Sequence, residues 1–315
     1  MKTLHLFLTV MVIISFSLTA SAQVDERPLP DFDKLWDYGN PKQTEIKFRE
    51  LIPLVVESGN ISYYAQLLTP VARAEGLQDK FKEAHNTLDT VELMLTDKLV
   101  VPTIRYLLER GRVFNSNNEK DIAKSLILDV WKIARAEGQD LYAVDAAHML
   151  GIAEDPENQI EWNLKAIELA EKSSDEKANN WLGALYNNTG WLYHDLGQYE
   201  KALDLFERGL RWRQQRDNEA ATRIAKWTVG RVYRSLGRID EAIKIQKELQ
   251  LELIDKGLEP DGYVYEELAE CYLINNDKNF AQKYFKLAYE YLSKDDWLKA
   301  NEPERLERLK ELGEN

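Results

Sequence analysis

The sequence predicts an all-α fold: a solenoid of about six stacked helix pairs, closed by a capping helix at each end. Three observations predict it. Asn188–Ala202 and Thr228–Ala242 align without a gap; each carries a Gly, a Tyr three residues on, then Leu-Gly, and an Ala twelve residues after the first Gly. Apolar residues inside these segments recur every three to four positions, the helical period. The charge-rich stretch Glu302–Leu312 spaces Leu306, Leu309 and Leu312 in the same way, as a terminal cap with one polar face does. At 315 residues, 44% hydrophobic and 30% charged, the chain can build a substantial core and is too apolar to be a disordered polymer.

Taken in order, residues 1–22 read as a secretory signal peptide. Lys2 supplies the positive end and Leu4–Leu18 is almost wholly apolar. Ala20-Ser21-Ala22 then places small residues before a cleavage point at Gln23. The apolar run is shorter than a membrane span, which argues against an uncleaved anchor. No later stretch is apolar enough to cross a bilayer. The expectation is an exported, soluble protein, periplasmic or extracellular, and the Ala-Ser-Ala-Gln ending resembles bacterial export signals.

Residues 23–41 form an N-terminal extension, in which Asp31–Trp36 makes a short turn docking Phe32 and Trp36. Residues 42–58 form the N-terminal capping helix, apolar at Ile46, Leu51, Leu54 and Val55 and kinked at Pro53. Residues 62–292 form the solenoid, with repeats near 65–98, 104–137, 140–173, 183–216, 223–256 and 262–295. Residues 302–315 form the C-terminal cap.

The repeats share a register. One small position falls on Ala72, Gly111, Ala147, Gly190, Gly230 and Ala269. A second falls on Ala84, Ala123, Gln159, Ala202, Ala242 and Ala281, and a third on Val91, Val130, Ala166, Gly209, Leu249 and Ala288. This pattern resembles the tetratricopeptide repeat, a helix–turn–helix unit with small residues at motif positions 8, 20 and 27. The resemblance covers roughly residues 62–292. The third repeat departs from it, with Gln159 and Asn163 replacing the usual Ala and aromatic and Asp155-Pro156 making its turn. Small residues suit positions where two helices cross closely, and each unit buries its apolar face only against its neighbours. The resemblance implies a right-handed solenoid whose concave groove is lined by positions 2, 5, 6, 9, 12 and 13 of each first helix.

The chain has no Gly-rich phosphate loop, no HExxH and no GxSxG, so no enzymatic activity, cofactor or metal site is expected. Its single cysteine, Cys271, excludes a disulfide framework and reads as a buried small hydrophobe. The net charge of -13 argues against a nucleic-acid partner.

The inner helix stripe carries the chemistry. Position 9 reads Arg73, Arg112, His148, Trp191, Arg231 and Glu270; position 12 reads Gly76, Asn115, Gly151, His194, Arg234 and Leu273. Four Arg and two His against one acid predict a basic groove on an acidic protein. Asn188 holds position 6, where the resemblance implies a hydrogen bond to the backbone of an extended peptide. A carboxamide offers both a donor and an acceptor for that task. Trp191 and Trp227 are expected as exposed aromatic anchors near Arg231. The expected ligand-binding set is therefore Asn188, Arg73, Arg112, Arg231, Arg234, Trp191, Trp227 and His194.

These residues point to a non-catalytic protein–protein interaction scaffold of the bacterial envelope or exterior. Its groove would bind an extended, anionic peptide segment of a partner. A small-molecule or glycan ligand in the same groove is the alternative. A metal-assisted site through His148 and His194, and a self-assembling structural solenoid, are further readings.

Overall fold

The structure, a computed structural model, describes residues 28–314, and the regular elements among them are all helical. The expected signal peptide, residues 1–22, lies outside the described residues. A 3-10 turn at Phe32–Leu35 precedes α1 (Pro41–Glu50) and α2 (Ile52–Ser58). Asn40 caps α1, its side chain accepting from Gln43 N–H at 3.2 Å, and Pro41 opens the helix. The single helix expected over 42–58 is thus two. Pro53 has no N–H to continue the ladder, and Leu51 N–H donates back to Phe48 O at 3.1 Å.

Six helix pairs follow. They are α3 (Ile61–Gly76) with α4 (Phe81–Glu92), α5 (Val100–Ser116) with α6 (Lys120–Ala136), and α7 (Asp140–Ala153) with α8 (Pro156–Lys172). The short α9 (Glu176–Asn179) intervenes, an element the repeat pattern does not predict. Then come α10 (Leu182–Asp195) with α11 (Tyr199–Gln214), α12 (Glu219–Ser235) with α13 (Ile239–Asp255), and α14 (Gly262–Ile274) with α15 (Lys278–Leu292). A second unpredicted element, α16 (Asp296–Asn301), leads into α17 (Pro303–Glu314).

Five of the six pairs turn in the same way. The backbone is left-handed at Asp79, Asn118, Gly197, Gly237 and Asn276, with φ of 59°, 63°, 70°, 73° and 60°. Gly, Asn and Asp adopt this region with least strain. The next N–H then closes the helix end, Gln198 donating to Tyr193 O at 2.8 Å and Arg238 to Tyr233 O at 2.9 Å. The third pair turns differently: Glu154 is extended and α8 starts at Pro156.

The small positions sit where the helices cross. Ala72, Ala147, Ala84, Ala123, Ala202, Ala242, Val91, Val130 and Ala166 are all fully buried. A methyl group added to Gly190 would stand 2.5 Å from Phe206 Cε1, and one added to Gly230 would stand 2.5 Å from Ile245 Cγ2. In the third pair, Asn163 takes the place of the aromatic and lies against Gly151.

The core runs along the array as a series of clusters. The first joins Phe32, Phe48, Val55, Leu67 and Val71; the last includes Leu268, Phe285, Leu298, Leu306 and Leu309. Burial of each such side chain contributes about 2 kcal/mol. α17 packs on α15, and a methyl group on its Gly313 would stand 2.8 Å from Lys286 N. Its Arg305 and Arg308 reach Glu266 and Glu270 of α14. α17 thus takes the place of the first helix of a seventh pair.

Candidate functional site

The inner stripe is stitched from repeat to repeat. Arg73 of α3 meets Glu109 of α5 at 3.5 Å, and Arg112 of α5 meets Asp145 of α7. Further along, Arg231 and Arg234 of α12 both meet Glu267 of α14, at 3.1 and 2.7 Å. In each case an Arg at position 9 reaches an acid at position 6 of the next repeat, and Arg234 adds its contact from position 12. Arg112 also donates to Glu109 at 2.5 Å. Burial opposes the Arg112 charge, but Asp145 and Glu109 overcome it and hold its pKa above the ordinary value. Arg234 is likewise raised against burial by Glu267, whereas burial prevails at Arg231 and lowers it.

The expected basic groove is corrected by this pairing. All four arginines face carboxylates, so the inner stripe carries no free row of positive charge. The position-6 acids Glu109, Asp145 and Glu267 are the residues that counting positions 9 and 12 alone leaves out.

The middle of the stripe is built differently. His148 of α7 packs on Trp181 beside α10, with ring centroids 5.3 Å apart. Trp191 of α10 stands edge-on to Phe206 at 5.2 Å and 6.4 Å from Trp227 of α12. Trp227 Nε1 donates to Tyr263 O at 3.2 Å. Trp191 and Trp227 are therefore half-buried members of the contact between repeats, not the freely exposed anchors expected. His194 Nε2 lies 2.9 Å from Ser235 Oγ, which also accepts from Arg231 at 2.8 Å. Burial lowers the pKa of both His148 and His194, with Arg231 adding to the effect at His194. The two histidines have separate partners, and no metal-ligating group of His, Cys, Asp and Glu forms among the described residues.

Asn188 is exposed on α10. Its Oδ1 accepts from Asn187 Nδ2 at 3.2 Å. Trp181, Ala184, Asn188 and Trp191 follow 3–4 spacing and share one face of that helix.

The N-terminal extension makes the expected short turn, which docks Phe32 and Trp36, and lies across the array as a strap. Phe32 is buried and stands edge-on to Tyr63 at 5.2 Å, while Tyr63 OH donates to Pro30 O. Arg105 Nη2 of α5 donates to Asp33 Oδ1 at 2.9 Å. The Arg73 guanidinium lies 5.8 Å from the Trp36 ring and 5.6 Å from the Tyr38 ring. Between this strap and the inner stripe lies a cavity of about 310 Å³. Its lining includes Pro70, Arg73, Leu108, Glu109, Arg112 and Asp145, all at positions 5, 6 or 9.

Comparison with known proteins agrees with the fold. The tetratricopeptide repeat family model matches residues 183–216 and 225–250. The chain is 25% identical over 208 residues to the outer dynein arm-docking complex subunit 4 of Xenopus laevis, covering 62% of this chain and 38% of that protein. It is 29% identical over 133 residues to the Danio rerio protein of the same name, covering 42% and 27%. The chain thus spans well under half the length of these relatives. Among solved structures, the apo form of RapI superposes with a TM-score of 0.67 at 14% identity, over 84% of this chain and 76% of that one. The C-terminal part of a TPR repeat-containing protein from Cytophaga hutchinsonii gives 0.52 at 14% identity, over 84% and 95%. These likenesses establish an all-helical solenoid of tetratricopeptide-repeat type.

Proposed function

We propose that this tetratricopeptide-repeat solenoid is a non-catalytic protein-interaction scaffold. An extended segment of a partner protein lies along the inner faces of α10 and α12. One observation carries the reading: Asn188 is exposed beside Trp191, and its amide N–H groups have no partner among the described residues. A carboxamide so placed matches a peptide unit. The curated relatives carry the name of a docking-complex subunit, which suits an assembly role. The acidity of the chain suits a protein partner better than a nucleic acid. Because the groove arginines are paired, the reading does not rest on an anionic partner along the whole stripe.

The signal-like segment supports export to a bacterial envelope or exterior. N-terminal sequencing of the native protein tests this: a start at Gln23 is expected, and a cytoplasmic chain retaining Met1 and residues 2–22 overturns it. A small-molecule or glycan ligand is the second reading, favoured by the aromatic lining of the cavity under the strap.

The binding test uses a photo-crosslinking residue in place of exposed Ala184, in the native host. Partner adducts are expected from that position and not from Asp204 on α11. The double variant Asn187→Ala/Asn188→Ala should lose most of the adduct while its melting curve is unchanged. Equal yields from wild type and double variant, or adducts from the Asp204 position alone, would overturn the groove reading.

A further inference from the structure

The cavity under the strap has a chemistry of its own. Trp36 and Tyr38 stack with centroids 4.8 Å apart and planes within 4°. They form one aromatic wall, and Trp181 and Tyr142 are further aromatic members of the lining. Trp36 stands edge-on to the buried Phe48 at 5.2 Å, and Tyr38, 62% exposed, rests on Trp36 through that stack. Three arginines in the lining, Arg73, Arg105 and Arg112, are held by the three carboxylates Asp33, Glu109 and Asp145. A fourth cation, Lys177 of α9, is exposed and has no ion-pair partner among the described residues.

The cavity also joins the track described above. Trp181 stands at the start of the α10 face that continues through Ala184 to Asn188. Seven helical residues span roughly 10 Å, a distance covered by about three residues of extended chain.

We infer that this cavity seats an aromatic side chain of the partner segment, and that Lys177 takes a carboxylate next to it in that segment. The inference rests on the groove reading above. The volume, about twice that of a cavity that takes up one benzene, accommodates an aromatic side chain together with part of the residue beside it. Aromatic walls favour a ring over an aliphatic side chain of similar size. The single unpaired cation selects one negative charge beside that ring, whereas the paired arginines offer none. α9 is the insertion that brings Lys177 to the rim, so the preference belongs to this chain's departure from regular repeats.

The test titrates the full chain with acetyl-Glu-Trp-Ala-Ala-amide by calorimetry. Controls replace Glu by Gln, or Trp by Leu. The Glu-Trp peptide should bind about threefold more tightly than Gln-Trp, the scale of an exposed ion pair. It should bind about fivefold more tightly than Glu-Leu, the scale of ring–ring contact. Lys177→Gln, a change at an exposed residue, should bring the Glu/Gln ratio to one. Trp181→Leu should reduce the Trp/Leu ratio, with the melting curve as the folding control.

Absence of saturable binding by Glu-Trp to the folded chain overturns the inference, as does an unchanged Glu/Gln ratio in Lys177→Gln. Tighter binding of N-acetyl-tryptophan than of the tetrapeptide overturns the partner-segment assignment and identifies a small ligand. If crosslinking from the Ala184 position succeeds while the peptide fails to bind, only this inference falls. If the crosslinking fails, the groove reading falls with it.

Discussion

Arg112 donates to two carboxylates at once, Glu109 on its own helix and Asp145 on the first helix of the next repeat. All three side chains are only 12 to 13% exposed, so the arrangement is shielded from solvent and salt. Its charges balance only as a set, with neighbouring Arg73 sharing Glu109.

Removing the centre of this set leaves two facing acids in a poorly hydrated place. Arg112→Met should destabilise the fold by about 3 kcal/mol. Adding Asp145→Leu to that variant should recover part of the loss, because one uncompensated charge is gone. Urea unfolding followed by circular dichroism measures both. A single variant as stable as wild type would show that the network contributes nothing.

The crossing glycines and the turn glycines should respond differently to the same substitution. Gly190→Ala presses a methyl group into the Phe206 ring and should cost about 2 kcal/mol by overpacking. Gly197→Ala has open space around it but keeps φ at +70°, and should cost about 1 kcal/mol through the backbone alone. Comparison of the two melting temperatures checks the order.

Stability should fall on the acid side of neutrality before the bulk of the carboxylates titrate. Burial lowers His85, His148 and His194 from the ordinary value of 6.5, with Arg110 adding to the effect at His85. The unfolded chain therefore takes up these protons more readily than the folded one. The stability associated with neutral imidazoles is present above pH 6.5 and is lost as pH falls through their lower folded values. Each group contributes a slope of at most about 1.4 kcal/mol per pH unit. Urea midpoints measured from about pH 7.5 down to about pH 5.5 should show the decline, and His148→Gln should make it shallower.

Cys271 should be inert in the folded chain. It is fully buried, and burial pushes its thiol pKa up to about 12, assisted by Glu267. Labelling with a thiol reagent at about pH 8 should be at least ~100-fold slower than in urea. Equal rates would place the thiol at the surface.

The repeat register was legible because it rests on a steric demand that each pair meets locally. Gly190 must be small for Phe206 to pack on it, and Ala202 must be small for its helix to approach. The turn residues were half legible: Gly197 and Gly237 announce a left-handed turn, while Asp79, Asn118 and Asn276 do the same work less visibly. The stitching was written in the sequence but needs two motif positions read together. Arg73 with Glu109, Arg112 with Asp145 and Arg231 with Glu267 are each an Arg at position 9 and an acid at position 6 one repeat later. The turn that docks Phe32 and Trp36 was legible from its aromatic residues, but its tie to the array was not, because Asp33 finds Arg105 across 72 residues and no periodicity spans that gap.

The stitches are unevenly distributed along the inner edge. Ion pairs join α3 to α5, α5 to α7, α12 to α14 and α14 to α17, while rings and a Ser–His contact link α7 through α10 to α12. Viewed as a spring, the molecule has two electrically tensioned ends and an apolar middle coil. Dissolved ions relax the more exposed pairs at the ends and leave the centre nearly untouched. Added salt should therefore weaken the Arg308–Glu270 stitch at the C-terminal end more than the shielded Arg112–Asp145 stitch or the ring contacts around Asn188.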